Sequence, residues 1–129
     1  MLIYNITFHV DGELNLAPYL TYMHDVFYPT AANKEYVKNP RFTRLLTDIG
    51  EEMYGFSFSF EVDDVKAMKK WKQEIGNKAE EDFNDAFGGK VITFSTTMFD
   101  LTTHITSNNE SSYSDQRLND DLIELTAMD

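Results

Sequence analysis

At 129 residues, with 42% apolar and 14% aromatic side chains, the chain has material for one packed domain and too little for two. Its apolar runs are only a few residues long, against the ~20 needed to span a bilayer. The net charge of −11, from 22 acidic and 11 basic residues, repels phosphate, which argues against nucleic acid and anionic membrane surfaces as partners.

Residues 2–10 alternate strictly, with Leu2, Tyr4, Ile6, Phe8 and Val10 on one side and Ile3, Asn5, Thr7 and His9 on the other. That period of two predicts a half-buried strand, ended by Asp11-Gly12. A helix is expected from Leu16 to Tyr28, with Leu16, Leu20, Met23 and Phe27 as its apolar stripe and Tyr19 and Val26 beside it. Asn15 is placed to cap it, Pro18 is tolerated in its first turn, and Pro29 should stop or kink it. A polar connection closes at Asn39-Pro40, and a second strand is expected over Phe42–Ile49. Gly50-Glu51-Glu52 then turns into a third strand, where Tyr54, Phe56, Phe58, Phe60 and Val62 share one face. So aromatic a row predicts a central strand.

Asp63 or Asp64 should cap a long second helix whose stripe is Val65, Met68, Trp71, Ile75, Ala79, Phe83 and Phe87. Gly76 in its middle costs roughly 1 kcal/mol relative to alanine and predicts a kink or break. Gly88-Gly89 supplies a cap. A last strand runs from Val91 to Leu101, with Ile92, Phe94, Thr96 and Met98 on one face and Thr93, Ser95 and Thr97 on the other. From Thr102 the character changes: residues 1–101 carry 16 acidic and 10 basic side chains, residues 102–129 carry 6 and 1. The chain therefore divides into a domain over 1–101 and an acidic extension over 102–129, in which Leu118, Leu122 and Leu125 suggest a short amphipathic helix.

The order strand, helix, strand, strand, helix, strand is ferredoxin-like: an α+β fold with both helices on one face of a four-stranded antiparallel sheet, and the first and third strands central. Phe8, Ile6, Phe56, Phe58 and Phe60 should pack beneath Leu20, Met23, Trp71 and Phe83. The helix-free face is then expected to present Asn5, Thr7 and His9, Ser57, Ser59 and Glu61, and Thr93, Ser95 and Thr97. The second strand adds Arg44 or its neighbours, a parity the pattern leaves open. A face of small hydroxyls with few charges suits coverage by the same sheet of a second copy, giving a homodimeric α+β barrel.

The opening Met1-Leu2-Ile3-Tyr4-Asn5-Ile6-Thr7, the aromatic-rich helix from Tyr19 to Pro29, Phe42-Thr43-Arg44-Leu45-Leu46, the segment Gly55 through Phe60, and the turn Phe87-Gly88-Gly89-Lys90-Val91 resemble a short bacterial family known as a domain of unknown function. The resemblance covers roughly residues 1–101. It implies a ferredoxin-like, dimeric α+β barrel-type fold and no particular activity. Where some members carry a His-Ile-Pro element this chain has Phe27-Tyr28-Pro29, so no histidine chemistry is carried over to that position.

His9, His24 and His104 are scattered, and adjacent His24-Asp25 makes a poor metal pair, so neither metal nor cofactor is expected. No serine or threonine has a base at a recognisable spacing. The candidate site is therefore the polar sheet face: Asn5, His9, Arg44, Ser57, Ser59, Glu61 and Ser95. His9 is read as an interface histidine bonded to Ser or Asn, and Arg44 as a partner for Glu61 or for an acid of a second chain. Two functions remain open. One is a non-catalytic dimeric module that binds protein or a small ligand. The other is a small cofactor-free barrel enzyme, monooxygenase- or isomerase-like, with His9 and Arg44 lining one interior pocket. Without cysteine or an export signal, a cytoplasmic setting is expected.

Overall fold

The computed structural model describes residues 1–47, 50–102 and 105. The alternation of the opening residues becomes β1, Leu2–Asp11, whose Leu2, Tyr4, Ile6, Phe8 and Val10 are buried. The other strands are β2, Lys38–Arg44, β3, Met53–Val62, and β4, Val91–Phe99. They form one sheet in the order β2-β3-β1-β4 with antiparallel neighbours throughout. This is the ferredoxin-like α+β arrangement, with the two strands that bury aromatic rings, β1 and β3, in the centre.

The helices pack on the face that carries the aromatic rows. The first, α1, begins as an α-helix over Leu16–Tyr22, widens into a π-helical stretch over Met23–Phe27, and ends with the turn Tyr28–Ala31. It passes through Pro29 instead of stopping there. The wider turn explains this: the Tyr28 N–H reaches back to the Met23 carbonyl, five residues away, which relieves the clash between a proline ring and the carbonyl four residues earlier. Its buried stripe is Tyr19, Met23, Phe27 and Ala31, while Leu20, expected in the core, is 38% exposed at the margin. Asn15 does not cap the helix; its amide donates to the Asp11 carbonyl instead.

The second helix, α2, has the same construction: Val65–Trp71, a π-helical stretch Lys72–Gly76, and Asn77–Phe87. Asp64 caps it, accepting from the Ala67 N–H at 2.8 Å, and every residue of the expected stripe is buried. The core residues recur every four positions from Tyr19 to Ala31 in α1 and from Trp71 to Phe87 in α2. At 3.6 residues per turn such a row drifts about 40° per step, so Trp71 to Phe87 would swing through ~160°. One π-turn pulls the phase back by about one residue, ~100°, and keeps the row on the sheet.

β2 starts four residues earlier than the sequence suggests. A register irregularity between Lys38 and Arg41 absorbs Asn39, at φ 50°, and Pro40, so an edge strand accommodates what reads as a loop. Leu45, Leu46 and Thr47 lie beyond the strand, and Leu46 is 93% exposed. Asp48, Ile49, His104 and the extension from residue 106 onward, with its expected helix, fall outside the described residues.

Trp71 closes the core. Its indole N–H donates to the Ala31 carbonyl at 2.9 Å, at the end of α1, and its rings pack on Phe60 and Tyr4 at 4.6 and 5.3 Å between centroids. A Cβ built on Gly76 would fall on three atoms of that indole, two of them at 2.7 and 2.9 Å. Gly76→Ala is therefore expected to destabilise by about 1–3 kcal/mol through overpacking, overriding the ~1 kcal/mol of helix propensity that alanine brings. Chemical denaturation checks this; a raised midpoint would refute it.

Tyr19 is fully buried among Phe8, Phe56 and Phe83, and its hydroxyl finds no hydrogen-bond partner among the described residues. Burial raises its ionisation well above that of an ordinary phenol, and burial with the Glu74 carboxylate beside it pushes Tyr36 up to about 12. These hydroxyls stay protonated in the folded chain while the unfolded chain ionises, so the associated stability is complete below pH ~10 and is lost as pH rises above it. Unfolding measured from pH 8 to 11 should show that decline. Tyr19→Phe should make it shallower by up to ~1.4 kcal/mol per pH unit and, by removing an unpaired buried hydroxyl, stabilise by about 1 kcal/mol at neutral pH.

Candidate functional site

Strand register determines what the helix-free face presents. Ile3, Asn5, Thr7 and His9 of β1 lie beside Glu61, Ser59, Ser57 and Gly55 of β3. On its other side β1 pairs these residues with Met98, Thr96, Phe94 and Ile92 of β4. β2 adds Arg41 and Thr43, opposite Ser59 and Ser57. Asn5 and Ser57 anchor the middle: the Ser57 hydroxyl donates to the Asn5 side-chain oxygen, and the Asn5 amide donates to the Thr7 hydroxyl at 3.1 Å. Glu61 accepts from the Asn39 amide at 2.7 Å.

Five of the seven expected site residues, Asn5, His9, Ser57, Ser59 and Glu61, share this face. Two do not. Arg44 stands opposite Phe56, on the side of the sheet that carries the helices, with its guanidinium 5.7 Å from the Tyr54 ring. Arg41 is the arginine of the helix-free face. Ser95 stands opposite Ile6, again on the helix side. The last strand had its two faces correctly sorted but assigned to the wrong sides. Val91, delivered by the turn at Gly88–Lys90, is buried opposite Val10, and period two then places Ile92, Phe94 and Met98 on the helix-free side and Thr93, Ser95 and Thr97 toward the helices.

The face is therefore more apolar than expected. Ile92, Phe94 and Met98 are 54%, 50% and 41% exposed, in one row along the edge strand. His9 sits edge-on to the Phe94 ring, 5.4 Å between centroids, rather than bonded to Ser or Asn. The row is legible in the sequence as Ile-x-Phe-x-x-x-Met, but the apolar side of an edge strand need not lie under the helices. Arg41 lies outside the expected strand because Asn39-Pro40 reads as loop, and Thr43 is the neighbour of Arg44 that the open parity allowed.

Three cavities lie away from the middle of this face. One of about 540 Å³ is bounded by Leu20, Met23, His24, Tyr28 and Phe42, between α1 and β2. A second, about 260 Å³, surrounds Arg44 and Tyr54 at the β2–β3 turn. A third, about 200 Å³, separates α2 from β4. His9 and Arg44 line none in common. Among the described residues no three His, Asp or Glu side chains converge as metal ligands, and no helix is long and apolar enough to cross a membrane.

Solved structures share the fold at low identity. A proposed antibiotic biosynthesis monooxygenase from Deinococcus radiodurans matches with a TM-score of 0.59 and 15% identity, over 78% of this chain and 92% of its own. An ethyl tert-butyl ether d (EthD) family protein from Bacillus halodurans matches at 0.57 and 12%, over 77% and 100%. HapK from Hahella chejuensis matches at 0.57 and 11%, over 79% and 94%. No curated protein matches the chain in sequence. The family model for a domain of unknown function matches residues 1–101, and the chain accordingly belongs to that family, DUF4286.

Proposed function

We propose that the chain is a homodimeric binding module in which the helix-free faces of two sheets close on each other. The observation that carries this reading is the row Ile92, Phe94 and Met98, half-exposed on a strand that, among the described residues, forms the edge of the sheet. Exposed apolar edge strands are normally covered, and Phe and Met are favoured where interfaces form. The charges brought by the strands at the margins of this face, Lys38 and Arg41 against Asp11 and Glu61, cancel within a chain of net charge −11. Two copies that repel elsewhere can therefore approach here, and across a two-fold axis Arg41 of one can meet Glu61 of the other. Four strands ~4.8 Å apart and ~30 Å long offer roughly 570 Å² of flat area, on the order of the ~800 Å² per partner of a standard interface.

Binding is favoured over turnover because His9 and Arg44, the pair on which a catalytic pocket was to be built, stand on opposite faces of the sheet. The acidic balance speaks against nucleic acid as the partner, and a cysteine-free sequence suits the reducing cytoplasm.

Sedimentation of the full chain should give twice 14.9 kDa, about 29.8 kDa. Ile92→Glu combined with Met98→Glu should give the monomer mass with an unchanged circular-dichroism spectrum, whereas Leu20→Glu, on the other layer, should leave the dimer intact. A monomeric wild-type chain at the highest attainable concentration, or a dimer that survives the double substitution, refutes the reading.

A further inference from the structure

The groove between α1 and β2 is the largest of the three cavities, about 540 Å³, and its lining is almost wholly apolar. Met23 forms its buried floor, while Leu20 is 38% exposed and Tyr28 and Phe42 are partly exposed along its sides. The Tyr28 hydroxyl donates to the Pro40 carbonyl at 3.4 Å and so ties α1 to β2, and His24 at the rim turns to its neighbour Asp25 at 2.8 Å. Arg44 stands two residues beyond Phe42 on the same side of β2. Its guanidinium lies 5.7 Å from the Tyr54 ring and, among the described residues, forms no ion pair. The stretch Leu16–Arg44, which supplies both walls, carries Lys34, Lys38, Arg41 and Arg44 against Asp25 and Glu35, a net positive region in a chain of charge −11.

The sequence beyond the described residues has the complementary make-up. Residues 106–129 carry 6 acidic side chains and 1 basic one. Within them Leu118, Leu122 and Leu125 stand at the i, i+4, i+7 spacing of a helix laid into an apolar groove. Asp121, three after Leu118 and four before Leu125, falls beside that stripe, whereas Asp120 and Glu124 fall on the opposite side. A helix this short is marginal in water unless its stripe is covered. Reach is no obstacle. Asp100 bonds to the Met1 carbonyl and Ile105 to Leu101, so the segment departs beside the start of β1. From there the groove lies three strand spacings across and four residues along, about 20 Å, against the ~43 Å that residues 106–118 span when extended.

We propose that Leu118–Leu125 lies as a helix in the α1–β2 groove of its own chain. The leucines cover Leu20, Tyr28 and Phe42, and Asp121 meets Arg44. Tethering supplies an effective concentration on the order of millimolar, so a small contact suffices to hold the segment. This goes beyond the dimer reading and does not rest on it, since the groove belongs to the helix layer and the dimer uses the opposite face.

The chain has no cysteine, so Ala127→Cys, on the side of that helix away from the leucines, carries a single nitroxide in the full-length protein. Amide signals broadened by the label should centre on residues 20–28 and 42–44. Leu122→Glu with Leu125→Glu, beyond the residues 1–101 that the family model matches, should abolish the broadening and leave the rest of the spectrum in place. Arg44→Glu should weaken docking about threefold, and Asp121→Arg added to it should restore the parent level. When nitroxide-bearing chains are mixed with isotope-enriched chains that carry none, the enriched chains should stay sharp. Broadening centred on the lysine-rich start of α2 at residues 66–72 or on Ile92–Met98, broadening of the enriched chains in the mixture, broadening that survives the leucine substitutions, an unrescued Arg44→Glu, or no broadening at all would each overturn the assignment.

Discussion

The structure depends on how Trp71 is seated. Its indole touches both central strands through Tyr4 and Phe60, donates its N–H to the last turn of α1 at Ala31, and fills the space that Gly76 leaves on its own helix. A tryptophan buried this deeply must find an acceptor for its N–H, and a helix C-terminus must find donors for its carbonyls; one bond serves both needs. It also fixes the end of α1 against α2, so the connection through Tyr36 and Lys34 comes to lie beside Glu74, at 3.0 and 3.6 Å. The two helices are thereby positioned over the sheet as one layer.

That layer explains the two π-turns. Core residues spaced every four positions cannot remain on one side of an ideal α-helix for three or four successive steps. Here a π-turn interrupts each helix midway, over Met23–Phe27 and Lys72–Gly76. In α1 the wider turn admits Pro29, and in α2 it ends at the glycine that accommodates Trp71. Pro29, expected to stop or kink its helix, and Gly76, expected to kink or break its own, are therefore compatible with continuous helices, and the four-residue spacing is the sequence signal for it.

Much of the architecture could be read from pattern. The alternations of β1 and β3 and the stripe of α2 led directly to the fold class and the strand order, because each is long and strongly periodic. The errors have a common origin in short or edge elements. Leu20 and Tyr19 are adjacent, and only the tertiary placement of α1 decides which points inward. β2 contains Asn39-Pro40, tolerable only because an edge strand leaves one side of its backbone unpaired. In β4 the alternation was evident, but which set faces the helices depends on the single buried residue that the glycine turn delivers, Val91. A one-residue difference there exchanges every side chain between the two surfaces, and with it Ser95 and Phe94.

The candidate site was legible to the same extent as its strands. Asn5, Ser57 and Ser59 come from β1 and β3, whose parity was certain, whereas Arg44 and Ser95 come from β2 and β4, whose parity was not. The exchange in β4 has a structural consequence. With its apolar row turned toward the helices, β4 would have added to the core and left a more polar outer face. Turned as it is, it exposes Ile92, Phe94 and Met98 on one side and places Thr93 and Ser95 opposite Glu80 and Asn84 on the other. One edge strand thus carries an exposed apolar row on one face and hydroxyls turned toward α2 on the other. Because successive residues of a strand point to opposite sides, each surface can be altered by substitutions that leave the other's side chains in place.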